Sequence, residues 1–146
     1  MSDSANNKSD APAKGYLIDP YKAEVHPIEV PIDDCKEIQR QLGCDTITAG
    51  GYLENGDVVF VDDEGLLKAP THFFRIKGIN GDQPLAGRGV VLGSDGEGGS
   101  ADTKTSSEDM LSRVRWVYAM DNKGEVLFDV SAAARGQAGK TEVIVI

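Results

Sequence analysis

Short stretches in which apolar and polar residues alternate recur along most of the chain, a pattern typical of β-strands with one buried face. Turn-forming residues, among them the tetrad Glu54-Asn55-Gly56-Asp57, separate several of these stretches. The pattern predicts strands at residues 15–19, 24–30, 45–51, 58–61, 89–92, 113–120, 125–130 and 143–146. The segment after Pro70, which contains Phe73, Phe74 and Ile76, lacks this alternation, and we expect it to be irregular.

The predicted strands 15–19 and 24–30 form a hairpin around the turn-favouring pair Asp19-Pro20. Pro27 lies within the second strand and has no N–H to donate to a neighbour, so we expect that strand at a sheet edge or interrupted at Pro27. A second hairpin is predicted between strands 113–120 and 125–130, joined by the turn residues 121–124.

One segment has the residue spacing of a helix. Asp33 or Asp34 can cap its first turn, Glu37 can complete a capping box with Asp34, and Gly43 can end it. Two to three turns are marginally stable alone, so this helix is expected to pack on the sheet. Its predicted apolar stripe consists of Cys35, Ile38 and Leu42.

Together these elements predict an α+β domain with a small, mostly antiparallel sheet of about six to eight strands and one or two short helices. The second helix is predicted for residues 107–111, with Ser106 as its N-cap. Residues 1–14 contain almost nothing to bury, which predicts a disordered tail ahead of a single domain at residues 15–146. Residues 93–105 are rich in Gly and acids and are expected to be a flexible loop.

Composition narrows the class of protein. The chain has 146 residues, of which 40% are hydrophobic, and a formal net charge of −9. No apolar run approaches the ~20 residues of a membrane helix, and two cysteines cannot form a disulfide framework, so a cytoplasmic protein is expected. The sequence pI of about 4.6 argues against direct binding to nucleic acid or to an anionic membrane.

Two nucleotide-binding patterns occur, but their context does not fit. Residues 134–141 resemble a relaxed phosphate loop, yet too few residues follow to form the helix that such a loop requires. Residues 96–101 match a dinucleotide pattern, but acidic neighbours would repel a pyrophosphate. Cys35 and Cys44 stand too far apart for a zinc pair, and Cys35 is better explained by the apolar face of the helix. We therefore predict no cofactor and no metal. Catalysis has no support in these motifs, although they do not exclude it.

The charges are distributed unevenly. Residues 45–65 carry six acids and no Lys or Arg, and residues 93–111 carry five acids against Lys104. Residues 66–92 between them are net basic and include two phenylalanines. Ordinary solvated surface explains this pattern, and so does a polarised surface that attracts a partner of opposite charge.

The order of motifs over residues 15–93 resembles a small family of domains of unknown function that is common in bacteriophages, prophages and plasmids. The resemblance implies an accessory protein of a mobile element in a bacterial cytoplasm, and it supplies no catalytic residues. The motifs that carry it are Tyr16-Leu17-Ile18, Glu29-Val30, Ile38-Gln39, Gly50-Gly51-Tyr52-Leu53-Glu54, Asp63-Glu64-Gly65-Leu66-Leu67 and Val90-Val91.

Two functions of different classes follow as expectations. The first is a non-catalytic protein-binding factor that modulates host or phage machinery, with mimicry of nucleic acid by its acids as one means. Mimicry requires those acids to form one contiguous surface. The expected contact residues are Glu54, Asp57, Asp62, Asp63 and Glu64.

The alternative is a domain that binds a small ligand or nucleotide, with or without hydrolytic activity. A glycine turn would approach the ligand closely, and basic side chains would surround a pocket. The expected ligand-binding residues are Gly50, Gly51, Tyr52, Arg75, Lys77 and Arg88.

Overall fold

A computed structural model describes residues 11–32, 34–68, 72–97, 99–120 and 141–145, and within these ranges the chain forms two β-sheets and two short α-helices. The predicted strand 125–130 and the turn residues 121–124 before it lie outside them, as do residues 1–10 of the predicted tail. The described elements, in chain order, are β1 (Ala13–Asp19), β2 (Glu24–Val30), α1 (Cys35–Leu42), β3 (Ile47–Tyr52), β4 (Val58–Asp62), β5 (His72–Ile76), β6 (Leu85–Ala86), β7 (Gly89–Ser94), β8 (Ser100–Ala101), α2 (Ser107–Arg113), β9 (Val114–Met120) and β10 (Thr141–Val145).

The main sheet is antiparallel, in the order β2-β1-β7-β4-β3, and β8 pairs with β7. The β1–β2 hairpin is confirmed, with Leu17 opposite His26. Among the described strands β2 lies at the sheet edge, as Pro27 predicts, because a residue without an N–H is tolerated where no further strand must be bonded.

The second sheet consists of β9, β5 and β6 in antiparallel order, with β10 parallel to β9. The expectation of an irregular segment around Phe73, Phe74 and Ile76 was wrong, since these residues form β5. The α+β class, the mostly antiparallel pairing and the two short helices are confirmed, with the strands divided between two sheets.

Helix α1 begins and ends at its predicted caps. The Asp34 carboxylate accepts hydrogen bonds from the backbone N–H groups of Lys36 (3.0 Å) and Glu37 (3.2 Å), and Gly43 ends the helix at φ 70°. The Glu37 carboxylate pairs with Arg40, at 2.6 Å, and does not complete a capping box. Cys35 was expected on the buried face but is exposed.

The core lies in two layers on either side of the main sheet. Helix α1 covers one face, where Ile38 and Leu42 pack with Val90 and Leu92. The second sheet covers the other face and buries the largest apolar side chains. The fully buried members of that layer include Trp116, Phe74, Ile18, Ile76, Val59 and Val91. The side chains of alternate residues in each central strand therefore pack into different core layers.

Candidate functional site

A surface groove of about 300 Å³ lies between the β3–β4 hairpin and the β6 end of the second sheet. Gly50 of β3 and Val61 of β4 line it on one side, and Leu85 and Ala86 of β6 line it on the other. Because Gly50 has no side chain, Leu85 and Val61 approach its backbone, and a Cβ added there would meet a Leu85 methyl at 3.2 Å.

Two adjacent leucines border the groove. Leu66 is 74% exposed and Leu67 is 83% exposed, and both lie on the short 3₁₀ helix Gly65–Lys68. The turn is held by a hydrogen bond from the Leu67 N–H to the Glu64 carbonyl oxygen, at 3.0 Å. Most other large apolar side chains of the described chain are buried. Two neighbouring leucines directed at solvent beside a groove are typical of a contact surface.

Three consecutive acids precede this turn. Asp62, at the end of β4, is half-buried and lines the groove, and its carboxylate accepts the Glu64 N–H at 2.9 Å. Asp63 and Glu64 are exposed. The three carboxylates give the leucine turn an acidic border. We call this surface the leucine–acid surface: Asp62, Asp63, Glu64, Leu66 and Leu67.

The other two expected acids do not belong to it. Glu54 is exposed at the opposite end of the β3–β4 hairpin, with an oxygen 3.8 Å from a guanidinium nitrogen of Arg113. The five-residue strand β4 separates it from Asp62 by roughly 15 Å, at about 3.3 Å per residue.

Asp57 is fully buried, and its carboxylate accepts hydrogen bonds from the N–H groups of Lys104 and Thr105 and from the Thr105 hydroxyl. Including Asp57 among surface contacts was therefore wrong, because a buried, hydrogen-bonded carboxylate cannot reach a partner.

A second, smaller cleft of about 180 Å³ adjoins the groove, and Asp62, Gly65 and Ala86 line both. Its remaining lining comes from the end of α1, the β1–β2 turn and the loop before β7, namely Leu42, Gly43, Tyr21, Gly87 and Arg88. Arg88 is the cation of this cleft.

The Arg88 side chain is held on two sides. Its Nε lies 3.4 Å from the buried carboxylate of Asp19, and its guanidinium carbon lies 4.9 Å from the centre of the Tyr21 ring. The Asp19 carboxylate is itself fixed by the Tyr21 N–H, at 2.9 Å. The plane of the guanidinium is thus set by protein contacts.

Aromatic rings continue the stack behind Tyr21. The His72 ring stacks on Tyr21 with centroids 4.5 Å apart and meets the Tyr118 ring edge-on at 5.4 Å. Burial lowers the pKa of His72, and the nearby Asp19 carboxylate acts in the opposite direction. Burial, reinforced by Asp19, raises the pKa of Tyr118 to about 12.

The expected ligand-binding residues do not converge on one cavity among the described residues. Gly50 lines the groove, Arg88 lines the smaller cleft, and Tyr52 is 63% exposed at the far end of β3. Arg75 lies on the same face of β5 as Phe73, which packs with Ala86 and Val117. His72 lies on the opposite face of the strand. Gly51 and Lys77 are not among the residues that line the groove or the cleft. Gly51 packs near Ile79, and Lys77 follows β5, where its N–H donates to the Arg113 carbonyl oxygen at 3.0 Å.

The described residues include part of the sequence motifs that were considered for a metal or a nucleotide. Within the described ranges, no three His, Cys, Asp or Glu side chains are grouped so that they could hold a metal ion. Ser100 and Ala101 of the dinucleotide-like pattern form β8 rather than the start of a helix. The phosphate-loop-like residues 134–140 lie outside the described ranges.

Fold and groove define a small α+β domain of two sheets and one covering helix, with an acid-bordered apolar surface. The chain belongs to the family described as a domain of unknown function, DUF3846, which matches residues 13–114. No curated protein matches the chain, and no solved structure matches it. None of the helices in the described ranges is long and apolar enough to span a membrane.

Proposed function

We propose that this protein is a non-catalytic protein-binding factor that docks through the leucine–acid surface. The observation that carries the proposal is the exposure of Leu66 and Leu67 beside a groove of about 300 Å³. The partner class is a protein segment with an aliphatic side chain for the groove and Lys or Arg residues beside it.

The apolar part supplies affinity. Burying a leucine side chain contributes about 1.5–3 kcal/mol, so two adjacent leucines can form the centre of a contact. Val61 and Leu85 extend this apolar area into the groove. A partner side chain seated there would contact aliphatic groups on both walls.

The acidic part selects the partner. Asp62, Asp63 and Glu64 favour a basic segment and disfavour an acidic one, in keeping with the formal net charge of −9. Only three of the five expected acids lie together in this surface, which favours a short basic protein segment over mimicry of an extended nucleic-acid strand.

Selection from a library of short random peptides displayed on a carrier tests this proposal. The expected peptides combine Leu or Ile with neighbouring Lys or Arg, and their affinity should fall steeply as salt is raised. The double substitution Leu66→Ser and Leu67→Ser should weaken the selected peptides by at least about tenfold. The matched control is Tyr52→Ser, which removes an exposed apolar side chain at the other end of the hairpin and should leave affinity unchanged.

The acids are tested separately. Replacing Asp62, Asp63 and Glu64 by their amides should reduce the affinity and flatten its salt dependence, whereas Glu54→Gln should do neither. Selected peptides that are acidic, or that bind the Leu66→Ser and Leu67→Ser protein as tightly as the unchanged protein, would show that this surface is not a docking site.

We also infer a biological setting for this binding factor. The motif order over residues 15–93 supports an accessory protein of a phage, prophage or plasmid that acts on host or phage machinery in a bacterial cytoplasm. Expression of the gene together with its neighbours after induction of such an element tests this setting. Constitutive expression from a chromosomal operon without mobile-element genes would refute it.

A further inference from the structure

We propose that the outer edge of β3 binds a short basic and aliphatic peptide segment as an added antiparallel strand of the main sheet. The inference rests on the proposed docking function and states how the partner is held. In the part of the chain that the structure describes, β3 is the last strand of the main sheet on its side. An extended peptide can pair with such an edge through main-chain hydrogen bonds.

The strand register defines which backbone groups of β3 face outward. The Asp63 N–H donates to the Thr46 carbonyl oxygen at 3.2 Å, so the backbone of Thr46 faces β4. In an antiparallel ladder, residues that bond to the neighbouring strand alternate with residues whose N–H and C=O groups point away from it. The register stays regular from Ile47 to Ala49. The backbone groups of Ile47 and Ala49 therefore point away from β4.

The accessible edge is short. The register shifts between Ala49 and Gly51, which ends the regular part of the ladder. At Gly51 the chain before β6 packs against β3, since a Cβ there would lie 2.6 Å from a methyl of Ile79 and 3.1 Å from the Asn80 nitrogen. The regular edge thus consists of Ile47–Ala49, which suits a short peptide segment rather than a long strand.

Alternate side chains of an added strand would face the groove. Val61 packs in the core layer between the two sheets, and Thr48 lies opposite Val61. Residues that are directly opposite in neighbouring strands have their side chains on the same face of the sheet. A peptide residue opposite Thr48 is therefore directed to the face where Val61 and Leu85 line the groove. This geometry brings an aliphatic side chain to the groove that Leu66 and Leu67 border.

Acids lie at one end of this edge. Asp45 precedes β3, Asp63 follows β4, and both are exposed. The hydrogen bond between Asp63 and Thr46 places them at the same end of the hairpin. An antiparallel peptide has its C-terminal end there, so Lys or Arg should follow the aliphatic residue in its sequence. The antiparallel direction also continues the pairing of the main sheet.

The edge at β3 differs from the edge at β2. Strand β2 contains Pro27, which has no N–H to offer, whereas Ile47–Tyr52 contains neither proline nor a charged residue. Proline and charged side chains are the usual protection of a sheet edge against added strands. A second copy of this chain would bring a further formal charge of −9 to the same place, so a basic peptide is the favoured occupant.

Backbone methylation of the peptide tests the pairing. The probe is the tightest peptide from the library selection, made synthetically with one N-methyl group at each position in turn. Methylation at every second residue should weaken binding to the full chain by about tenfold, because those N–H groups point at β3. Methylation at the intervening residues should change affinity by less than about twofold. Losses without this alternation would overturn the proposal, and so would selected peptides in which Lys or Arg precedes the aliphatic residue.

A matched pair of variants tests the protein side. Ala49→Pro removes the outward N–H while the bonds between β3 and β4 stay in place, and it should weaken the peptide by at least about tenfold. Ala49→Val keeps the N–H and should change affinity by less than about twofold. Circular dichroism verifies the fold of each variant, and the methylated peptides keep the test valid if Ala49→Pro does not fold. Undiminished binding by folded Ala49→Pro would overturn the assignment.

The pairing and the docking function fail in different ways. Affinity that is lost in Leu66→Ser and Leu67→Ser but retained in Ala49→Pro would refute the added strand and leave the leucine–acid surface as the docking site. The opposite result would support the added strand and refute docking through the leucines. A selection that yields no peptide would refute both. A dimer in sedimentation experiments that Ala49→Pro abolishes would assign the edge to a second copy and overturn the peptide as its occupant.

Discussion

The Asp57 carboxylate accepts hydrogen bonds from both the backbone N–H (3.0 Å) and the hydroxyl (2.7 Å) of Thr105, a residue 48 positions further along the chain. The Lys104 N–H donates to the same carboxylate, and the Thr105 carbonyl oxygen accepts the Tyr16 hydroxyl at 2.7 Å. The β3–β4 turn, β1 and the segment before α2 are therefore joined at one buried point.

Asp57→Ala should lower the free energy of unfolding by about 3 kcal/mol, because it leaves buried N–H and O–H donors without their charged acceptor. Urea unfolding followed by circular dichroism measures the change. The control Asp63→Asn, at an exposed acid, should change stability by no more than about 0.5 kcal/mol. If Asp57→Ala changed stability as little as Asp63→Asn, the hydrogen bonds to Asp57 would not be what holds the segment before α2 in place.

Gly93→Ala should destabilise the fold by at least about 2 kcal/mol. A Cβ at Gly93 would collide with the carbonyl oxygen of Asp102, where the chain after β8 crosses β7. Thermal unfolding of this variant is compared with that of Gly96→Ala. A Cβ at Gly96 has no neighbouring atom within 4 Å, but the φ of 83° there disfavours a side chain, so this variant should lower the free energy of unfolding by about 1 kcal/mol. The decisive result is which variant loses more stability. A larger loss in Gly96→Ala than in Gly93→Ala would contradict the close approach of the Asp102 carbonyl oxygen to Gly93.

Stability should fall as the pH decreases below the ordinary histidine pKa of 6.5, because burial lowers the pKa of folded His72. The unfolded chain then binds more protons than the folded one, so the free energy of unfolding rises with pH through this range. Urea unfolding between pH 7.5 and pH 5 measures the slope. His72→Phe should flatten it and His26→Gln should not. An unchanged slope in His72→Phe would assign the dependence to other groups.

Ultraviolet titration of the folded protein should reveal a tyrosine that ionises near pH 12, because burial raises the pKa of Tyr118 to about that value. Tyr118→Phe should remove this late step. It also removes the hydrogen bond from the Tyr118 hydroxyl to the Pro20 carbonyl oxygen, 3.0 Å long. Circular dichroism at each pH ensures that the step is read before unfolding. A late step that persists in Tyr118→Phe would place it on another tyrosine.

Local signals predicted the elements that local interactions stabilise. Asp34 and Gly43 mark the ends of α1 because caps act within one turn of the helix. The position of Pro27 on an edge strand follows from its missing N–H.

The elements that depend on both faces of a sheet were harder to predict. Strand β5 lacks a regular alternation because Phe73 packs on one face while Phe74 and Ile76 pack on the other, so apolar residues occur on both of its faces. The helical stripe included Cys35 because periodicity alone does not show how far the sheet extends along the helix.

The candidate site was predicted in part. The charge pattern drew attention to Asp62, Asp63 and Glu64, which are adjacent in sequence and so must be adjacent in space. Leu66 and Leu67 were missed as contact residues, because a pair of leucines after a turn is indistinguishable from core residues before their exposure is known. The burial of Asp57 depends on Thr105, which no local pattern links to it.

The family match ends at residue 114, where β9 begins. This boundary therefore divides β9 from the rest of the fold. A chain cut at that boundary would keep every family residue and lose Trp116, Val117 and Tyr118, all buried. Each lost aromatic side chain removes on the order of 4–6 kcal/mol of apolar burial, comparable to the whole stability of a small domain. The autonomous folding unit is therefore longer than the segment by which the family is recognised.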